Sequence, residues 1–482
     1  MKLLLMPEFQ LLLWAVLLLI FEAYRPQTSA KVIARLAIFG AALVFAGLFC
    51  PKLNLDAGYS WEGLYKLDSL AVFFKGFFLL TLIVVLWMSG EFVEELPLAR
   101  NEFLILPLFP TVGMMLLASA VDFMTVFVAI ELVTISFYIL VAYQRNNAAS
   151  LEAGAKYLVI GALSTGFLVY GIAFLYGSVG STAFSDILGA LAVSGKSINP
   201  GLLFAMVLIV TGLAFKVSAV PFHVWAPDVY QGAPTPVTAF LAVGSKAAGF
   251  AVLLRILDLD GFSHAALVPY SSSLLVVLAG ATVVLGNFAA LPQRNIKRLL
   301  AYSSIGHAGF MLMALSCHTV RGVEAVLIYL VIYMLAALLA FFVITLVSRQ
   351  VGGDELSNYS GLSQRSPLAA FALLVAFVSM AGIPPLAGFL GKLAVFAAVW
   401  ETRRYFLLAL GIISAAAGLY YYLGVVRSMY WNEPTREAPA VELSFSSQIL
   451  VWFLTLALII LGFSQIPLVV IIRQALGGLR HG

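Results

Sequence analysis

Residues 215–250 read FKVSAVPFHVWAPDVYQGAPTPVTAFLAVGSKAAGF, and this stretch decides the fold. It continues the apolar run PGLLFAMVLIVTGLA of residues 200–214. A helix arriving along that run must stop at Pro221, because proline lacks an N–H and its ring collides with the preceding turn. Pro227, Pro234 and Pro236 follow, and a second apolar run then carries Lys246. Unwound backbone between two apolar helices is tolerated at membrane depth only beside protein or a water-filled cavity. Lys216 before the break and Lys246 after it fall where each charge costs roughly 2.5–3.5 kcal/mol on insertion scales.

The composition agrees with a chain built for lipid. Of 482 residues, 62% are apolar and 10% are charged. The mean hydropathy is +1.03. Soluble domains carry about 25% charged and about 45–50% apolar residues, so a soluble enzyme, a nucleic-acid binder and a disordered chain are excluded. The net charge of +4 says little about partners. Cys50 and Cys317 cannot make a disulfide framework or a cysteine-rich metal site. No haem or iron–sulfur ligand pattern is present, and no Walker loop that would mark an ATP-driven pump. The N-terminal run MKLLLMPEFQLLLWAVLLLIF lacks a small-x-small cleavage site and reads as a first span.

Lipid offers no partner for backbone polar groups, so long apolar runs must cross as helices. The predicted fold is an all-α polytopic membrane protein of about 14 transmembrane helices. They are expected near 4–23, 33–50, 70–89, 103–120, 123–143, 152–177, 201–220, 236–257, 268–288, 298–316, 323–347, 367–400, 403–424 and 446–472. The 367–400 run is too long for one ~30 Å crossing at about 1.5 Å per residue. It holds GIPPLAG, residues 382–388, near its middle. Helices 7 and 12 are therefore expected to be broken, one in each half of the chain. Paired breaks of this kind point to a transporter built from inverted repeats. A slight Lys/Arg excess in the loops after odd-numbered spans places both termini outside the cytoplasm.

The spans hold charges that hydrocarbon disfavours. Glu131 lies in FMTVFVAIELVTISFYIL, Lys216 before the first break, Lys246 in AFLAVGSKAAGF and Lys392 in GFLGKLAVF. Lys156 opens the sixth span, His223 follows Pro221, and His307 sits in AYSSIGHAGFML. Burial disfavours a lysine's charge and a nearby carboxylate favours it. Moving Glu131 relative to Lys216 would thus switch that lysine between holding and releasing a proton, and a histidine can relay near neutrality. The bland reading has Lys156 and Lys75 reaching back to the surface, with His223 and His307 as satisfied polar residues. A single structural ion pair would account for two of Glu131, Lys216, Lys246 and Lys392, not four. Asp228 reads as a turn or capping residue, and Glu91, Glu94 and Glu95 as a solvated loop.

At this point the sequence resembles a known family. Residues 215–250 are similar to the proton-antiporter-like membrane subunits of respiratory complex I, the NADH:quinone oxidoreductase. So are FVAIELVTISFYIL (127–140), RNIKRLLAYSSIGHAGFML (294–312) and SMAGIPPLAGFLGK (379–392). The wording of 220–241 resembles the family's N-type branch, and Lys392 in the twelfth helix argues against the M-type. No long lateral helix of the L-type is expected after the fourteenth span.

The resemblance implies helices 1–3 over 1–100 and a first five-helix repeat, helices 4–8, over 101–260. A second, inverted repeat, helices 9–13, would cover 261–430, and helix 14 would cover 431–482. It implies proton translocation through Glu131, Lys216, Lys246 and Lys392, with Lys156, His223 and His307 as candidate relays. It implies that this chain binds no cofactor or metal, NADH, FMN, iron–sulfur clusters and quinone lying elsewhere in the complex. Expected partners are other membrane-arm subunits, of M-type and of the small K-, J- and A-types, in the bilayer of a bacterial inner membrane, with no nucleic acid. A subunit of a multisubunit cation/proton antiporter is the alternative, since that superfamily shares the motifs.

Overall fold

The computed structural model describes residues 5–50, 59–96, 100–194, 199–259, 267–434 and 439–477. The start of the first expected span, residue 4, and the expected repeat boundary at 260/261 lie outside them. Helices α1 (Pro7–Tyr24) and α2 (Ala30–Leu48) open the chain. A hairpin follows, β1 (Tyr59–Trp61) against β2 (Tyr65–Leu67), with Tyr59 opposite Leu67. The all-α expectation missed it, because strands of three residues are too short to show a period of two. Helix α3 (Ser69–Phe92) is capped by Asp68, whose side chain accepts from the Ala71 N–H. Such caps satisfy donors that the first helical turn leaves free.

The fourth span bends at Pro107 into α4 (Arg100–Ile105) and α5 (Leu108–Ser119). Asp122 caps α6 (Phe123–Val141). Gly180, at φ +83°, ends α7 (Ala148–Val179). A short α8 (Phe184–Ser194) and then α9 (Pro200–Lys216) lead into the first break, after which α10 (Trp225–Gly232) resumes. The eighth span comprises α11 (Thr235–Phe240), a π turn at Leu241–Ser245, α12 (Lys246–Leu254) and a second π turn at Arg255–Leu259. Helices α13 (Val268–Ala290), α14 (Ile296–Leu315) and α15 (Val320–Val351) follow. The one-turn α16 (Leu362–Arg365) precedes the second broken pair, α17 (Pro367–Ala381) and α18 (Ala387–Glu401). Then come α19 (Tyr405–Trp431), α20 (Phe445–Phe463) and α21 (Ile466–Gly477).

Among the described residues, eleven helices are long and apolar enough to cross a membrane. Of the fourteen expected spans, the seventh and twelfth are absent from that set because their breaks leave arms of 17 and 15 residues. The tenth, α14, carries Lys297, Arg298, Ser303, Ser304 and His307. The expected single span at 446–472 is corrected to two helices, α20 and α21. Pro467 cannot donate to the Phe463 carbonyl, so the helix ends there.

The chain divides into two compact units. The first holds Met1–Ser218, Gly244–Leu274 and Ile472–Gly482. In it α7 lies close along α9, where Ser164 donates to the Gly212 carbonyl at 3.0 Å. Small residues allow such close helix approach. One end of this unit is tied by buried ion pairs. Lys75 is fully buried, not at the surface as expected, because Glu8 of α1 meets it at 2.8 Å. Tyr65 bridges them, accepting from Lys75 at 2.7 Å and donating to Glu8 at 3.2 Å. Arg255 grips the Asp68 carboxylate at 2.7 and 3.0 Å and donates to the Ala118 carbonyl at 2.7 Å.

The second unit holds Ala219–Val243 and Leu275–Ile471. In it α15 packs against α17 and α18, and α10 against α14. Asp228 is not merely a turn residue: it pairs with Arg298 at 2.6 Å, while Lys297 donates to the Ala233 carbonyl at 3.0 Å. These contacts fix the helical arm that follows the first break.

Candidate functional site

In the first unit, the break sets the position of Lys216. It is the last residue of α9 and is 7% exposed. The final carbonyls of a helix lack partners and favour a cation. Its Nζ donates to Thr134 Oγ1 on α6. Glu131 precedes Thr134 by three residues, so the two share one face of α6. The half-buried Glu131 accepts at Oε1 from the Thr165 hydroxyl of α7, at 2.7 Å. Among the described residues, Glu131 and Lys216 form no ion pair; each is held by a threonine instead.

Lys246 opens α12 directly after a π turn and is buried. A Cβ at Gly249, one turn further on, would lie 2.8 Å from Val217 Cγ1 and 3.3 Å from Lys216 Cβ. The glycine therefore lets α12 and α9 touch, which brings two buried lysines onto adjacent turns of neighbouring helices. Tyr157 of α7 completes this region. It stacks on Phe215 at 6.0 Å, and its hydroxyl faces Ser245, next to Lys246. Lys156, one residue earlier, is not among the buried charges. Its side chain is 42% exposed and pairs with Glu152 at 2.8 Å, one turn away.

In the second unit, Lys392 sits at the other break. It is buried, and its Nζ donates to the Ala381 carbonyl at the end of α17, at 2.6 Å. It also lies 5.2 Å from the Phe310 ring centre, a favourable place for a cation. Two glycines allow this break, and the first makes room for the lysine. Gly382 takes φ +84°, and a Cβ there would stand 2.7 Å from Lys392 Cδ. A Cβ at Gly388 would stand 1.6 Å from the Ser379 carbonyl oxygen, so the arms of this break can meet only at glycine.

His307 lies buried on α14, with both ring nitrogens engaged. Nδ1 is 2.8 Å from the Tyr329 hydroxyl and Nε2 is 3.0 Å from that of Tyr422. Tyr422 is bonded in turn to Ser303. A small cavity beside them is lined by His307, Tyr329, Tyr333, Ser379, Gly388 and Gly391. His223 lies half-buried in the turn after Pro221. Among the described residues, no group of three His, Cys, Asp or Glu could hold a metal ion.

The structure thus gathers Glu131, Lys216 and Lys246 in the first unit, and His307 and Lys392 in the second. The reading of the sequence missed Thr134, Thr165, Tyr157, Tyr329 and Tyr422. One signal was available. Thr134 and Glu131 stand three apart on a helix, and Thr165 and Ser164 interrupt an otherwise apolar run. Each such group can donate and accept, so these clusters can pass protons as well as hold them.

Comparison with known proteins places this geometry in a family. Residues 120–418 match the family model for NADH:quinone oxidoreductase/Mrp antiporter transmembrane proteins. NADH-quinone oxidoreductase subunit N of Heliobacterium modesticaldum is 42% identical over 445 residues, covering 92% of each chain. A chain of respiratory complex I from Thermus thermophilus is similar at 32% identity and TM-score 0.79, covering 97% of this chain and 98% of that one. A chain of the Mrp complex from a Dietzia species shares the fold, with TM-score 0.84 at 18% identity, covering 100% of this chain and 98% of that one.

Proposed function

Since the chain belongs to the NADH:quinone oxidoreductase/Mrp antiporter transmembrane family, in its subunit N branch, we propose that it conducts protons as a membrane-arm subunit of a proton-translocating NADH:quinone oxidoreductase. The observation that carries this is Lys216: a buried ammonium at a helix break, held by a hydroxyl, with a carboxylate one turn away on the helix it touches. A permanently structural charge at that depth would be expected to keep a counter-ion. A charge whose counter-ion stands nearby but apart can be switched.

In this reading the subunit carries out no redox step. Quinone reduction in other subunits brings Glu131 toward Lys216 or moves it away, and Lys216 takes up or releases its proton accordingly. Lys246, on the adjacent turn, receives the proton within the first unit. His307 and Lys392 serve the second unit, with the Tyr329 and Tyr422 hydroxyls beside the histidine. Lys156 and His223, half-exposed, have a lesser part as relays. NADH, FMN, iron–sulfur clusters and quinone are assigned to the rest of the complex. The neighbours are assigned as M-type and small K-, J- and A-type subunits, and the site as the bacterial inner membrane. The antiporter alternative loses ground because the 42% identical relative is a subunit N, whereas the Mrp likeness is one of fold.

The test uses the assembled complex in sealed membrane vesicles. Lys216→Ala and Glu131→Ala are expected to lower proton pumping and coupled turnover about a hundredfold or more, on the scale of a lost proton-transfer group. Electron transfer from NADH to a water-soluble acceptor should stay unchanged. Normal pumping by an assembled Lys216→Ala complex would sink the proposal.

A further inference from the structure

We propose that Thr134 and Thr165 are positioning residues that hold Lys216 and Glu131 apart in the resting conformation. The inference rests on the Glu131–Lys216 reading above and adds the groups that set the separation. A carboxylate on α6 and an ammonium bonded to Thr134, one turn further along the same helix, attract one another strongly in a low-dielectric interior. They stay apart only if each has a sufficient partner where it stands.

Each has one, of opposite polarity. Thr134 is fully buried, and its hydroxyl hydrogen is committed to the Ile130 carbonyl at 2.6 Å. Its oxygen is therefore left as an acceptor, which suits the Lys216 ammonium. Thr165 is turned the other way. It donates its hydrogen to Glu131 Oε1 at 2.7 Å, which suits a carboxylate. Hydrogen bonds to charged groups are roughly twice as strong as neutral ones. Both contacts thus grip most firmly while Lys216 and Glu131 are charged, the state in which the two would otherwise pair. The threonines sit on α6 and α7 and the lysine on α9, so a small shift of α6 against either neighbour exchanges threonine partners for the ion pair.

Valine and serine separate the hydroxyl from the shape. Valine keeps the volume of threonine and lacks the hydroxyl; serine keeps the hydroxyl and lacks the methyl. In the assembled complex in vesicles, Thr134→Val and Thr165→Val should each shift the apart/joined balance about tenfold to a hundredfold toward the joined pair. Coupled turnover and protons pumped per NADH should fall about fivefold or more, as expected when part of that shift limits the cycle. Thr134→Ser and Thr165→Ser should restore both. Valine variants that pump normally, or serine variants as impaired as the valine ones, would overturn the proposal. If Thr134→Val does not assemble, the half-buried Thr165→Val decides on the same criteria. Lys216→Ala is measured alongside. If it pumps normally, the underlying function is wrong; if it fails while the valine variants pump, only the threonine latch falls.

Discussion

Lys216 and Lys75 are both buried lysines in spans of the first unit, and their surroundings separate their roles. Lys75 has a carboxylate at 2.8 Å and a tyrosine hydroxyl at 2.7 Å. Lys216 has a threonine hydroxyl. The first arrangement fixes a charge, and under the proposed function the second leaves it movable. Removing one partner of a buried ion pair strands the other, at a cost of about 3–5 kcal/mol. Lys75→Ala should therefore lower the thermal midpoint of the purified complex, or the amount of subunit assembled, and Lys75→Met with Glu8→Gln should recover most of the loss. A Lys75→Ala complex of normal stability and abolished pumping would instead put Lys75 on the proton path. The sequence set Lys216 apart by its helix break and read Lys75 as reaching back to the surface. It could not show that Lys75 is buried and paired, because Glu8 is brought to it by the packing of α1 against α2 and α5.

At the scale of elements, the two breaks do the same physical work. Each ends a helix beside a lysine: Lys216 is the last residue of its own helix, and Lys392 reaches back to the Ala381 carbonyl. Prolines announce both breaks in the sequence, at Pro221 and at Pro384-Pro385. What the prolines do not announce is how near the arms come. At the second break that distance is set by Gly388 against Ser379. Gly388→Ala forces the arms apart, and overpacking of this kind costs about 1–3 kcal/mol. It should lower coupled turnover and move Lys392 off the Ala381 carbonyl while the complex still assembles. A Gly388→Ala complex with unchanged pumping would show that the closeness of the arms is not needed. The π turn before Lys246 was not foreseen either. Nothing in LAVGS distinguishes it from ordinary helix.

At the scale of the whole molecule, contacts distant in sequence close the first unit. Asp68 and Arg255 are 187 residues apart and share two hydrogen bonds. Burial alone would raise the Asp68 carboxyl, but the Arg255 guanidinium outweighs it and holds the group below the usual carboxylate range. The unfolded chain then binds the proton more readily than the folded one. The pair's stabilisation is complete above about pH 4 and fades as pH falls through the native value. The thermal midpoint of the complex should drop more steeply with acid below about pH 4 in the wild type than in Asp68→Asn, which should be lower at pH 7. Equal acid slopes would mean that the pair does not couple protonation to folding. From its sequence alone the chain showed its membrane class, most of its helical spans, the two breaks and the seven titratable candidates. Those properties follow from local chemistry: hydropathy, proline's missing donor and the cost of charge in lipid. Only the tertiary structure decided that Lys75 is paired, that Lys156 stands at the surface, and that threonines hold Glu131 and Lys216. A partner is a matter of distance between helices, and one helix's sequence carries no record of which face its neighbour presents.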